Sequence, residues 1–342
     1  MPPSRDPRIP SRQLASPTTA QPRPRRWPSI RLPWIDWRSP HLRRDLLMLA
    51  VGLIGAVATT TLIGLIWRDQ DRGSVEKQLT AATLAEKPRR AVTVLVIGSD
   101  ADSISDTTNN AAPSGPPNAD ALMLVRVNPE GPLQVLNIPI DLAVLLPGET
   151  EPRPLGQLYE MGGVALLSDT VAELIGLDRP GPDRYMVLPR GALRAVVGEL
   201  GGLEVKPPRT MRYEDKAQKL SIDLQSGLQR LDGEQVEGMA RFRDKWLGES
   251  GRRSNHQLLV TSLRERLGQP ELLGRLPVLI DVLEKKVDTN LTARESLSLL
   301  AAGLDDDRPI QFGTLPLTPA KPEQAPLRQL DPEAKGKLWK AP

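Results

Sequence analysis

The 342-residue sequence has no cysteine and only two histidines, His41 and His256. Without thiols there is no zinc finger, no iron–sulfur cluster, no thiol nucleophile and no disulfide framework. Low complexity throughout is also excluded, since 39% of the residues are hydrophobic and 25% charged. That is ordinary globular composition, with length for a sizeable core and about two domains. No internal repeat is visible.

The net charge of +3 hides an asymmetry. Residues 1–45 carry ten arginines against Asp6, Asp36 and Asp45, a balance of +7, while the other 35 basic and 39 acidic residues leave −4. The basicity that points toward nucleic acid in a folded domain therefore lies in a Pro- and Arg-rich tail without apolar periodicity. The remainder is mildly acidic.

After this tail runs Leu46 to Trp67, LLMLAVGLIGAVATTTLIGLIW, 22 residues without a charge. At about 1.5 Å per residue it spans a hydrocarbon core of about 30 Å. Arg43 and Arg44 flank one side and Arg68 with Asp69 the other. Positively charged flanks stay in the cytoplasm, so a single-pass membrane protein is expected, its N-terminus inside and residues 68–342 outside. A cleaved signal peptide is the alternative, since Ala56-Val57-Ala58 resembles a cleavage site; the apolar run, however, continues nine residues beyond it, past the usual length of about 7–15. The exported part then owns one imidazole, His256. Its chemistry must rest on carboxylates, arginines, backbone amides or a hard metal such as Mg²⁺.

Residues 68–90 are polar and read as a stalk. Ala91–Asp100 (AVTVLVIGSD) is a β-branched run suited to a strand buried on both faces, and residues 101–118 compose an exposed loop. Asp120–Asn128 and Leu133–Pro139 are further strands joined by the turn Pro129–Pro132, a hairpin or meander. Helical patterns cover 155–175 and 191–200, with strand-like Tyr185–Leu188 between them. Leu203–Val205 and Leu220–Leu224 are short strands. Asp232 is a plausible N-cap for the next helix, and helical patterns resume over 251–267, 271–287 and 292–304. Ile310–Leu315 is placed to close the sheet, and the Pro- and Lys-rich residues 318–342 suit a disordered tail. Strands alternating with helices give an α/β or α+β domain over 91–317.

The ordered series IGSD (97–100), ADALMLVRVNP (119–129), VLNIPID (135–141), VLLPG (144–148), LYEMGG (158–163), LSIDLQSGLQRLDGEQVEGMARFRD (220–244) and GRRSNHQ (251–257) resembles the LytR-CpsA-Psr family of membrane-anchored bacterial envelope proteins. The series runs from residue 97 to residue 257, and Leu220–Arg243 is its most specific piece. The resemblance implies a three-layer α/β/α domain with a central mixed sheet behind one N-terminal transmembrane helix. It also implies an enzyme of the cell envelope, at the bacterial inner membrane, that moves a glycopolymer phosphate from a polyprenyl-diphosphate carrier to a peptidoglycan hydroxyl. DNA is on the wrong side of the membrane for the folded domain, so a role in transcription does not follow; the basic tail suits anionic lipid.

A diphosphate ester needs cations around its oxygens, from Mg²⁺ on carboxylates and from guanidinium forks. Asp100 or Asp102 together with Asp120, at the end of the first strand and the start of the second, are candidates to hold the metal; solvated loop carboxylates are the alternative. By the resemblance Arg241, Arg243 and Arg252 are the phosphate-binding arginines, with Arg252 also catalytic; surface charges on an amphipathic helix are the alternative. His256, four residues after Arg252, shares its helix face. Asp141 occupies the acidic position of the family's I-P-R-D signature, a catalytic candidate or a solvated loop end.

The sequence also departs from the family. Arg-Ser-Asp-Thr is replaced by Asn118–Ala121, the arginine of Ile-Pro-Arg-Asp by Ile140, Arg-Gln-Gln by Asn255–Gln257, and an aspartate by Glu249. Each preorganised charge lost from a transition-state site costs on the order of 10²–10³ in rate. Two functions follow: a divergent transferase, or a weakened relative that binds a lipid-linked glycan or a protein partner and regulates.

Overall fold

The computed structural model describes residues 85–109, 114–177, 181–217, 220–318 and 327–334. The anchor expected at 46–67 and the basic tail lie outside these residues. Among the described residues no helix is long and apolar enough to cross a membrane.

The three apolar runs form the expected meander: β1 (Val92–Ser99), β2 (Ala119–Val127) and β3 (Leu133–Ile138) are successive antiparallel neighbours. Their register sets Leu95 opposite Leu124 and Leu124 opposite Leu136, so even-numbered positions of β2 and β3 share a face. Two short strands, β4 (Ala143–Val144) and β5 (Arg153–Pro154), then lead to α1 (Leu158–Ile175). The chain continues through β6 (Arg184–Pro189), α2 (Arg190–Glu199), β7 (Leu203–Val205), β8 (Met211–Asp215), β9 (Leu220–Leu224) and β10 (Gln229–Leu231). Next come α3 (Gly233–Arg241), α4 (Gly248–Leu267), α5 (Leu276–Lys286), β11 (Asp288–Thr289), α6 (Ala293–Gly303), β12 (Ile310–Thr314), β13 (Leu317–Thr318) and β14 (Gln329–Leu330).

The central sheet has the order β11-β6-β1-β2-β3-β12 and is mixed: β6 runs parallel to β1 and β12 parallel to β3. On one face Leu167, Val171 and Ile175 of α1 cluster with Leu95, Ile97, Leu122, Leu124, Leu136 and Ile138. Val125, Val127 and Leu133, on the alternate positions, cluster instead with Leu299 and Ala302 of α6. Helices thus cover both faces, which is why β3 is buried along its whole length. A second core gathers α2 to α5 around the small strands, with Val197, Leu203, Ile222, Val236, Met239 and Leu259 among its buried members.

Two glycines are fixed by sterics. Gly163 holds φ +60 at a kink in α1, a conformation open to few other residues, and a Cβ on Gly233 would stand 2.6 Å from the Arg194 carbonyl oxygen where α3 crosses α2.

The structure differs from the sequence expectations in several places. The helix expected over 271–287 begins as a 3₁₀ turn, Pro270–Arg275, and becomes α-helical only at Leu276; a proline in the first turn of α5 starts it without loss, because that N–H has no partner in a helix. Residues 211–215, unassigned from sequence, pair with β9 as a hairpin. The tail expected from residue 318 is in part built into the fold: β14 pairs with β13, and Ala143 N donates to the Arg328 carbonyl at 2.7 Å. The end of the expected stalk is likewise laid on the domain, since Ser298 Oγ donates to the Glu86 carbonyl at 2.6 Å and Arg90 pairs with Asp183 at 2.9 Å.

Candidate functional site

Where β1 ends and β2 begins, the two strands pair irregularly: Gly98 faces Ala121 but Ser99 faces Ala119. Asp120 is therefore the extra residue of a β-bulge, a device that re-aims a side chain at a strand end. It lines a cavity of about 520 Å³ together with Asp100, Arg241, Arg243 and Arg252. Glu160, Asn109, Asn118, Tyr213 and Leu220 complete much of the wall.

Asp100 is anchored by the loop it opens. It accepts from Asn118 N at 2.8 Å and from Asn109 Nδ2 at 2.7 Å. Burial is the largest influence on it and pushes its pKa up; the charge of Asp120 adds to this, while the Asn118 and Asn109 bonds and Arg190 oppose it. Asp102, the alternative partner for Asp120, is instead engaged by Arg194, with Arg190 at 3.9 Å.

The arginines come from the α3–α4 corner. Asp232 caps α3 through a reciprocal capping box with Gln235, and the helix stops at Arg241, where Phe242 turns extended. Asp244 then accepts from Trp246 N and Leu247 N, which starts α4. Arg241 pairs with Glu237 at 3.2 Å, while Arg243 and Arg252 share Glu249 at 2.9 and 2.7 Å. Arg243 is 54% exposed in its side chain, whereas Arg252 is only 6% exposed as a residue. Burial, then the neighbouring Arg243, lower the pKa of Arg252 against the pull of Glu249 and Asp120.

Two expected site residues lie apart from this cavity. His256 lines a separate hollow of about 10 Å³ with Ile140, Arg252 and Arg253. Its Nε2 donates to the Ala240 carbonyl at 2.9 Å, and its Nδ1 is buried without a partner among the described residues. Burial and then the charge of Arg252 lower its pKa to about 4, so at neutral pH it offers phosphate no proton. Asp141 sits beyond the Pro139 turn, held by Arg328, whose N donates to its carbonyl at 3.0 Å and whose Nε is 3.4 Å from its carboxylate.

Sequence reasoning missed Asn109, Glu160 and Glu237. The first lies in a stretch whose composition says only loop. Glu237 did carry a signal, a charge set between Val236 and Met239 on the buried side of α3.

Among the described residues no group of three or more His, Cys, Asp or Glu is placed to hold a metal. Mg²⁺ does not require one, because it is commonly held by one or two carboxylates with substrate phosphates and water filling its shell. Asp100 and Asp120 fit that pattern, since both line the cavity and a cation there would favour the charged form of Asp100 that burial and then Asp120 oppose.

The model of the LytR_cpsA_psr family matches residues 67–336. Regulatory protein MsrR of Staphylococcus aureus is 22% identical over 232 residues, which are 66% of this chain and 64% of MsrR, so the chain spans less than two thirds of that relative. Among solved structures, TagV of B. subtilis is 20% identical with a TM-score of 0.59, covering 73% of this chain and 95% of TagV. A structure described as TagT bound to LI-WTA is also 20% identical, with a TM-score of 0.54 over 77% of this chain and 93% of TagT. These likenesses show a shared fold, a mixed α/β domain built on a central mixed sheet.

Proposed function

Because the chain belongs to the LytR_cpsA_psr family, we propose that it transfers a glycopolymer phosphate from a polyprenyl-diphosphate carrier to a peptidoglycan hydroxyl at the outer side of the bacterial cell membrane. The observation that carries this reading is that two carboxylates, Asp100 and Asp120, and three arginines, Arg241, Arg243 and Arg252, line one cavity. The relative bound to LI-WTA supports the class of substrate.

In this reading the arginines grip the diphosphate oxygens, where each charge-assisted bond contributes about 1.5–3 kcal/mol. Mg²⁺ held by Asp100 and Asp120 would neutralise diphosphate charge as the bond breaks. The acceptor oxygen attacks the glycan-side phosphorus, the bridging P–O bond breaks with its electron pair leaving on polyprenyl phosphate, and the hydroxyl proton passes to solvent. Glu249 keeps Arg243 and Arg252 together without cancelling both, since one carboxylate faces two guanidiniums. Arg252, buried beside the cavity, acts in a medium where its charge is less screened than in water.

A second reading, a binding and regulating relative with little turnover, is favoured by one observation. Ile140 packs against the apolar core under α1 and brings no charge to the turn where the family signature has arginine. The test is transfer of label from a polyprenyl-diphosphate-linked oligosaccharide to peptidoglycan by the full chain in detergent with Mg²⁺. Transfer lost on Arg252→Ala supports the transferase; binding without transfer supports the regulator.

A further inference from the structure

Glu237 is 7% exposed, yet three guanidiniums converge on it. Arg194 pairs with it closely, Arg241 Nη1 donates to Oε1 at 3.2 Å, and Arg190 Nη1 donates to it at 3.4 Å. Arg194 also reaches Asp102, and Arg190 stands 3.9 Å from the same carboxylate. The main chain makes the same junction: Arg190 N donates to the Ala101 carbonyl and Gly191 N to the Asp102 carbonyl, both at 3.0 Å. Gly191 is required there, because a Cβ would stand 2.5 Å from the Asp102 carbonyl oxygen. The start of α2 therefore joins the loop that opens with Asp100 to the helix that ends with Arg241, and both of those residues line the cavity.

Five charges meet at this junction, three positive and two negative. An unpaired buried charge is expensive, so with Glu237 present the guanidiniums can be held inside the fold, and without it they would be driven apart. Arg241 is the member of the three that borders the cavity, so it is the one whose displacement the site would feel.

We propose that Glu237 is a positioning residue of the diphosphate site, holding Arg241 at the cavity and tying it through Arg194 and Asp102 to the loop that carries Asp100. This inference rests on the diphosphate reading above for its ligand, but not for its geometry.

The experiment measures inorganic pyrophosphate binding, with Mg²⁺, to the full chain in detergent. Glu237→Gln, which keeps the side-chain shape, is expected to weaken binding about fivefold or more. Glu237→Asp, which keeps the charge but draws it back by one methylene, is expected to weaken it about threefold. Arg241→Ala in the Glu237→Gln background should add almost nothing, since two residues acting through one contact are not additive. In parallel, phenylglyoxal modification of Arg241 without ligand, read by mass spectrometry, should quicken severalfold in Glu237→Gln.

If Glu237→Gln instead tightens binding and Glu237→Asp leaves it unchanged, Glu237 only damps the positive potential and the inference falls. Additive effects of Glu237→Gln and Arg241→Ala overturn it too. Were the wild type not to bind pyrophosphate at all, the diphosphate reading fails, and the modification rate at Arg241 still decides the geometry. Should Glu237→Gln not fold, Glu237→Asp with the same two readouts decides alone.

Discussion

Two arginines, one near each end of the central sheet, are equally buried at 6% exposure and do opposite things. Arg308 sits by the turn between β2 and β3, where its Nε donates to the Gly131 carbonyl at 2.8 Å and its Nη2 to the Asn128 carbonyl at 2.7 Å. Its hydrogen-bonding capacity is turned on main chain, so it closes a turn. Arg252, at the end that carries Asp100 and Asp120, meets a single carboxylate that it shares with Arg243 and borders a cavity wide enough for a ligand. Burial alone therefore does not separate a structural arginine from a binding one. What separates them is whether the fold uses up their donors.

The carboxylates divide along the same line. Glu295, near the start of β6, accepts from Arg184 and from Thr292 N, and these bonds lower its pKa to about 2. Asp305 is lowered by Lys87, and Asp183 is lowered overall because bonds from Thr93 and Arg90 outweigh its burial. Asp100, by contrast, is raised by burial and by Asp120. Three carboxylates at one end are thus held charged by their partners, while Asp100 at the other is pushed toward its neutral form.

Breaking this contrast has its largest effect at Arg308. Arg308→Ala leaves buried carbonyls unpaired and should cost about 2–4 kcal/mol of unfolding free energy, seen as a lower urea midpoint, with pyrophosphate affinity of the folded protein unchanged. Loss of affinity in step with stability would show that the two ends are not independent. Arg252→Ala should weaken pyrophosphate binding about tenfold or more, because a charge-assisted phosphate bond is worth about 1.5–3 kcal/mol. Equal affinity in that variant would remove Arg252 from the site.

Next in size is Glu295→Gln, which weakens an ion pair and half of the capping box of α6 and should cost about 1 kcal/mol by thermal unfolding. Its pH dependence has a definite sign. A carboxylate with a folded pKa below its ordinary value stabilises the fold above that ordinary value, and the contribution is lost as pH falls. For Glu295 the loss runs from about 4.5 down to about 2, and the variant should flatten the acid limb of the stability curve there. Asp100 has the reverse sign: it favours the protonated fold, and stability drains as pH rises from 3.8 through its raised value. The smallest effect sharpens the contrast at that residue. Asp120→Asn should move the Asp100 carbon-13 carboxyl titration downward, and a midpoint that stays in place would mean burial alone raises it.

The apolar framework was legible in the sequence because it follows from periodicity. β1, β2, β3 and β9 declare themselves by β-branched runs or clean alternation, and Asp232 marks the start of α3. β8 was not legible, since its three middle residues are exposed and it is a strand only by pairing with β9. At the site, Asp100, Asp120, Arg241, Arg243 and Arg252 were expected and do share one cavity, but the assignment of Asp141 rested on motif position and that of His256 on the helix face it shares with Arg252. Neither records that Arg328, remote in sequence, returns to hold Asp141, nor that His256 spends its N–H on Ala240. Glu237 needed three segments brought together before its role was visible.

The cavity lined by Asp120 and Arg252 is the proposed seat of the diphosphate. Calorimetric titration of the full chain in detergent with a polyprenyl diphosphate and Mg²⁺ tests it most directly. Saturable binding that weakens as salt is raised, and that drops about tenfold on Arg252→Ala, is the predicted result. Absence of binding, or binding indifferent both to salt and to Arg252→Ala, would contradict it.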